Sequence, residues 1–276
     1  MSLFKRLFDF YLDSSIQTAL SCYALVRMTQ HMFQIEDSQH MPYFAFFGTI
    51  VGYNFVKYDA LARTQKIKMG KHLIAIAVLS FVAFIGAAIS FYKLENITQV
   101  VSIAFLALTV LYTLPFFPNT QNARNWRGIK IYIVAFCWVG VTLVLPILDA
   151  GIPITSDFYW KCLQRFVLLF VLITIFEIID LKHDDPNLQT VPQKIGVKQT
   201  KLVGVILLIV FYFLEFFQTQ TETLQLIINA VLVLIMTLFL LFANENRSKY
   251  YTSFWAESIP VFWYLMLVVI DNLKVT

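Results

Sequence analysis

Nine apolar runs, each closed by a charged or turn-forming connection, divide the sequence and leave more apolar surface than a water-soluble core could cover. Runs of roughly 17 to 25 residues are long enough to cross a bilayer as helices, which satisfy every backbone N–H and C=O within the segment. Approximate limits are Tyr11–Gln34, Pro42–Lys57, His72–Tyr92, Ile97–Pro115, Ile129–Leu148, Tyr159–Asp180, Leu202–Phe217, Leu224–Phe242 and Phe254–Ile270. The second and seventh are short for a crossing, which predicts tilt or ends buried in protein. The expected fold is an all-α polytopic membrane bundle of nine transmembrane helices, a single integral-membrane domain over residues 1–276. Composition agrees, because only 14% of residues are charged where a soluble domain carries about 25%. No secretory leader is expected, since the first ten residues contain Lys5, Arg6 and Asp9 and no small-residue cleavage site follows.

Alternate connections differ in charge. Lys5 and Arg6, then Lys57, Arg63, Lys66, Lys68 and Lys71, then Arg124, Arg127 and Lys130, then Lys182, Lys194, Lys198 and Lys201, and finally Arg247 and Lys249 fall on one side, sixteen of the 21 basic residues. The other side carries Glu36, Asp37, Glu95, Asp149, Asp157 and Glu222. By the positive-inside rule the N-terminus and the basic loops are cytoplasmic, so the chain is a multi-pass protein of a membrane, the inner one in a bacterium. Basic loops that set topology can also hold an anionic headgroup or diphosphate.

The first run is the least apolar, with Asp13, Ser14, Ser15, Gln17, Thr18, Ser21, Arg27 and Gln30, and should face the bundle interior. The most costly stretch to place is Phe176-Glu177-Ile178-Ile179-Asp180-Leu181-Lys182-His183-Asp184-Asp185, four acids closing an apolar run. On a helix Glu177, Asp180 and Asp184 stand at i, i+3 and i+7 and share one face, where they can converge on a cation. Without a counter-ion they would repel one another. Pairing with Lys182, Lys194 or Arg165 is the structural alternative. Cys22, Cys137 and Cys162 lie in or beside apolar runs without ligand spacing and read as core residues.

Two further segments end even-numbered runs on the same face. One is Gly52-Tyr53-Asn54-Phe55-Val56-Lys57-Tyr58-Asp59-Ala60-Leu61-Ala62-Arg63; the other is Leu111-Tyr112-Thr113-Leu114-Pro115, followed by Arg124, Arg127-Gly128 and Lys130. Together the three resemble the UbiA superfamily of intramembrane prenyltransferases. The family's Asp-x-x-Asp-x-x-x-Asp motif at the end of the sixth helix is matched by Glu177, Asp180 and Asp184, with Glu in the first place. Its Thr-Leu-Pro-x-x-x-Gly-like run is matched by Thr190, Pro192 and Gly196, and its tyrosine-containing turn is similar to Tyr112-Thr113-Leu114-Pro115. The second-helix motif Asn-Asp-x-x-Asp-x-x-x-Asp is degenerate here: Asn54 is in register, but Phe55, Tyr58 and Ala62 hold the acid places. Asp59 lies one residue late, about 140° around a straight helix from Asn54, while Lys57 sits on the Asn54 face.

The resemblance implies Mg²⁺-dependent transfer of a polyprenyl group from a polyprenyl diphosphate to an aromatic or other lipophilic acceptor, within the lipid bilayer. It implies Asp180, Asp184 and Tyr112 as catalytic residues, and Asp59, Glu177, Asp180 and Asp184 as metal ligands. Asn54, Lys57, Arg63, Arg124, Arg127 and Lys182 would hold the diphosphate. No nucleic-acid or protein partner is expected. The degenerate first motif leaves two alternatives: a non-catalytic isoprenoid- or lipid-binding protein of the same fold, or an ion-coupled transporter.

Overall fold

The computed structural model describes residues 3–35, 38–64, 70–113, 128–185 and 188–275, and among these every regular element is helical. The helices are α1 Leu3–Asp13, α2 Ile16–Met32, α3 His40–Thr64, α4 Lys71–Phe91, α5 Asn96–Thr113, α6 Lys130–Val139, α7 Leu145–Asp149, α8 Ser156–Asp180, α9 Val191–Ile195, α10 Val197–Phe213, α11 Thr223–Phe242 and α12 Ile259–Val275. A π turn over Gly140–Val144 joins α6 to α7. A 3-10 turn over Leu214–Phe217 extends α10, and a π turn over Tyr251–Ala256 precedes α12. Among the described residues six continuous helical rods are long and apolar enough to cross a membrane: Lys71–Phe91, Lys130–Asp149, Ser156–Asp180, Val197–Phe217, Thr223–Phe242 and Tyr251–Ile270.

The sequence boundaries need three corrections. The run Tyr11–Gln34 is not one rod: it breaks at Ser14–Ser15, where Ser15 takes a left-handed conformation (φ 61°). The run begun at Pro42 is not short, because α3 carries on through Asn54, Lys57 and Asp59 to Thr64. The run begun at Leu202 likewise starts earlier, at Val197. Helical hydrogen bonding does not require apolar side chains, so polar residues extend both rods past their apolar stretches.

The last and first rods are neighbours, since α2 packs against both α3 and α12. Its polar side chains turn inward as the sequence predicts, with Gln17, Thr18, Ser21, Thr29 and Gln30 all buried. Conversely α4 presents Val78, Phe81, Phe84 and Ile89 outward, the pattern of a rod bathed in lipid. Most buried of the six spans is α8, whose Leu168, Val171, Ile175 and Ile178 enter one core with Leu208, Leu232, Met236 and Trp263. That centrality places its carboxyl end among the loops that close one face of the bundle.

Two buried polar groupings hold the rods. Lys161 Nζ donates to both carboxylate oxygens of Glu215 at 2.8 Å, and Gln164 and Asn229 donate to the same carboxylate. Arg165 is also buried; it donates to the Leu25 carbonyl and to the Thr142 and Thr29 hydroxyls, with the Trp263 ring 5.4 Å from its guanidinium carbon. Arg165 therefore braces α2, the π turn and α12, in place of the acid-face partnership considered from sequence.

Candidate functional site

The acid run begins inside the helix and finishes outside it. Glu177 and Asp180 belong to α8, which ends at Asp180. Both the His183 N–H (2.7 Å) and the Asp184 N–H (2.9 Å) then donate to the Asp180 carbonyl, so the turn after α8 keeps one helical i→i+4 bond into Asp184. Glu177 is buried, and its Oε2 accepts from the Val191 N–H at 3.2 Å, tying α8 to the first turn of α9. That turn is built by Thr190-Val191-Pro192-Gln193: Gln193 Oε1 accepts from the Thr190 N–H, the reach-back half of a capping box, and Pro192 sits in the first turn.

A cation facing this run is Lys130, at the amino end of α6. Its Nζ stands 3.9 Å from Asp184 Oδ2, an oxygen that is buried and accepts no hydrogen bond among the described residues. Gly128 fastens the same two segments. Its N–H donates to the Leu188 carbonyl at 2.9 Å, and its φ of 70° suits glycine. A Cβ there would stand 2.9 Å from Lys194 Nζ. The second and third segments of the sequence thus meet, through Gly128 and Lys130 against Asp184, Leu188 and Lys194. The sequence puts Lys130 only in the basic continuation of the second segment; its place at the start of an apolar run is the available signal.

The first segment turns elsewhere. Asn54 is buried and its amide donates to Ser80 of α4 at 2.9 Å, while its Oδ1 has no partner among the described residues. Lys57 Nζ lies 3.4 Å from the Leu12 carbonyl and 3.5 Å from that of Asp13, and Tyr58 donates to the Asp13 carbonyl at 2.9 Å. These two side chains cap the carboxyl end of α1. Trp138 of α6 donates to the Tyr53 hydroxyl at 2.6 Å. Lys182, assigned to the diphosphate, is exposed and donates to Asn246 at 2.6 Å, with Glu245 at 3.5 Å. Asp59 and Arg63 lie on α3 and Tyr112 on α5, but their side chains fall outside the described residues, as do Arg124 and Arg127 altogether.

Convergence of three acids on one cation is not found. Among the described residues no group of three or more His, Cys, Asp or Glu side chains is gathered closely enough to hold a metal ion. Glu177 is already committed to the backbone of α9. What remains fits a smaller seat, one or two carboxylates completed by ligand oxygens and water, which is the way Mg²⁺ is commonly held. Asp184 Oδ2, buried and accepting no hydrogen bond among the described residues, is the ligand oxygen that points to it.

An all-helical membrane bundle with a carboxylate-bearing helix end on one face is the class that this arrangement defines. Its fold is shared with a solved structure, the apo form of a UbiA homolog from Aeropyrum pernix K1, which aligns over 93% of this chain and 98% of that one with a TM-score of 0.68 and 12% identity. The likeness agrees with the resemblance carried by the third segment. No family model and no curated protein sequence matches the chain.

Proposed function

We propose that the protein is a UbiA-like prenyltransferase that moves a polyprenyl group from its diphosphate to an aromatic or other lipophilic acceptor at the face where α8 ends. The single observation that carries this reading is Asp184: a buried carboxylate oxygen without a hydrogen-bond donor among the described residues, facing Lys130 across two helix ends, within a UbiA fold. In such a transfer the allylic C–O bond breaks, the diphosphate leaves with the bonding electrons, the prenyl carbon bonds to the acceptor, and the acceptor loses a proton. Lys130 would bind the diphosphate by charge-assisted hydrogen bonds. Asp180 and Asp184 would hold Mg²⁺, with Glu177 fixing the α8–α9 corner behind them. When bound, that ion supplies Lewis-acid neutralisation of the leaving charge. Tyr112, Arg63, Arg124 and Arg127 remain the proposed hydroxyl and guanidinium contacts to the phosphates, and Asp59 a proposed further metal ligand. The apolar rods around α8 would exclude water from the allylic cation. Nine membrane spans with this face cytoplasmic complete the reading.

Purified protein incubated with Mg²⁺, polyprenyl diphosphates of several lengths and aromatic acceptors should release pyrophosphate. Asp180→Ala and Asp184→Ala, shown to be folded by thermal melting, should abolish the release. No release with any acceptor overturns the proposal. One observation favours a second reading, a non-catalytic isoprenoid-diphosphate binder: Asn54 and Lys57 of the degenerate first segment are engaged with Ser80 and with α1. Mg²⁺-dependent diphosphate binding without turnover would select it.

A further inference from the structure

On a helical wheel, α1 divides cleanly. Leu3, Phe4, Leu7, Phe8, Phe10 and Tyr11 fill one broad side, while Lys5, Arg6, Asp9 and Asp13 occupy the other. Only part of the apolar side is covered by protein. Phe8 packs edge-on against Phe254, 5.2 Å between centroids, and beside Tyr250, and Phe10 meets His72. The first turns are bare, with Leu3, Phe4 and Leu7 exposed at 73%, 79% and 60%, next to exposed Lys5 and Arg6.

The helix is nevertheless fixed in place. Asp9 accepts from Tyr250 at 2.7 Å and pairs with Lys249 at 3.1 Å. Asp13 pairs with His72 at 3.3 Å, and Lys57 and Tyr58 hold the α1 carboxyl end. The left-handed turn at Ser15 separates α1 from α2, so it does not continue that rod. The loop that holds Asp9 also reaches the acid-bearing end of α8, since Lys182 bonds Asn246 and Glu245. α1 and the carboxylate site therefore share one face of a bundle whose rods present apolar side chains outward.

We infer that α1 is an in-plane membrane anchor, whose bare first turns insert Leu3, Phe4 and Leu7 into the leaflet on the site face while Lys5 and Arg6 lie at its headgroups. An amphipathic helix with basic residues flanking an apolar side binds at the depth of the headgroup–acyl boundary. Here the rods bring that boundary to the helix, so the continuous bilayer is the occupant. The inference rests on the fold and on α1, not on the proposed reaction.

The test is nitroxide accessibility in the full chain reconstituted into nanodiscs, with single labels at Leu3→Cys, Phe4→Cys, Lys5→Cys, Arg6→Cys and Leu7→Cys. Labelled wild-type protein supplies the background from the native cysteines. Labels at 3, 4 and 7 should collide several-fold more with oxygen than with a water-soluble nickel chelate, and labels at 5 and 6 should show the reverse. Changing the nanodiscs from purely zwitterionic to partly anionic lipid should deepen the first set. Equal exposure of all five to the chelate overturns the inference. So does shielding of 3, 4 and 7 from both probes, which would mean a second copy of the chain covers them.

Discussion

Lys130 Nζ faces Asp184 Oδ2 at 3.9 Å, joining the start of one membrane rod to the loop that leaves another. At that separation the two charges attract without a hydrogen bond, so an anionic ligand approaching Lys130 does not have to break one. Lys130→Ala should weaken Mg²⁺-diphosphate binding about 10- to 100-fold, the value of a hydrogen bond to a charged group. Lys182→Ala, whose ammonium is turned to Asn246 and Glu245, should change it less than Lys130→Ala does. Isothermal titration in detergent compares the two.

The ion pair of Lys161 and Glu215 lies inside the bundle, where removing one partner strands the other. Glu215→Ala should destabilise the protein by about 3–5 kcal/mol. The double variant Lys161→Met, Glu215→Leu should recover much of that loss, because two charges that would otherwise need desolvation are both gone. Thermal unfolding in one detergent, followed by circular dichroism, measures the difference.

Much of this fold was legible because lipid imposes a strong filter: runs such as Leu224–Phe242 are apolar but for Gln225, Asn229 and Thr237, and α11 follows that run to within a residue. The candidate site was legible in part. Carboxylates at the end of an apolar run stand out, and Glu177, Asp180 and Asp184 were found that way. Whether they gather was not legible, because that depends on tertiary bonds such as the one from the Val191 N–H to Glu177. Lys161 and Glu215 carried no signal as a pair, since which rods touch is decided by packing. The break at Ser14–Ser15 could have been read from Asp13-Ser14-Ser15, residue types that prefer helix ends, and with it the turn of Lys57 toward α1.

Acid should loosen α1. The Tyr250 hydroxyl first, and Lys249 after it, hold the Asp9 carboxyl below its ordinary value of 3.8. A carboxyl whose pKa is depressed on folding contributes stability that is complete above the unfolded value and is lost as pH falls through the lower folded one. The mobility of a nitroxide at Leu7→Cys should therefore rise as pH drops below about 4. Tyr250→Phe removes the largest cause, so the same rise should begin at higher pH. An unchanged midpoint would show that Asp9 does not hold the helix.

Glycines in the rods should respond to substitution in opposite directions. Gly140 opens the π turn between α6 and α7, and the Phe105 ring of α5 lies against it so closely that a Cβ would overlap Cζ. The ring belongs to the neighbouring rod, so Gly140→Ala must push α5 away or force Phe105 off its rotamer, a cost of about 1–3 kcal/mol. Gly48 lies within α3, and a Cβ built there meets nothing within 4 Å. Gly48→Ala gains helix propensity without a clash and should stabilise by about 0.5–1 kcal/mol. Melting temperatures that fall for Gly140→Ala and hold or rise for Gly48→Ala would place the contact at Phe105, whereas equal losses would mean that both sites are crowded.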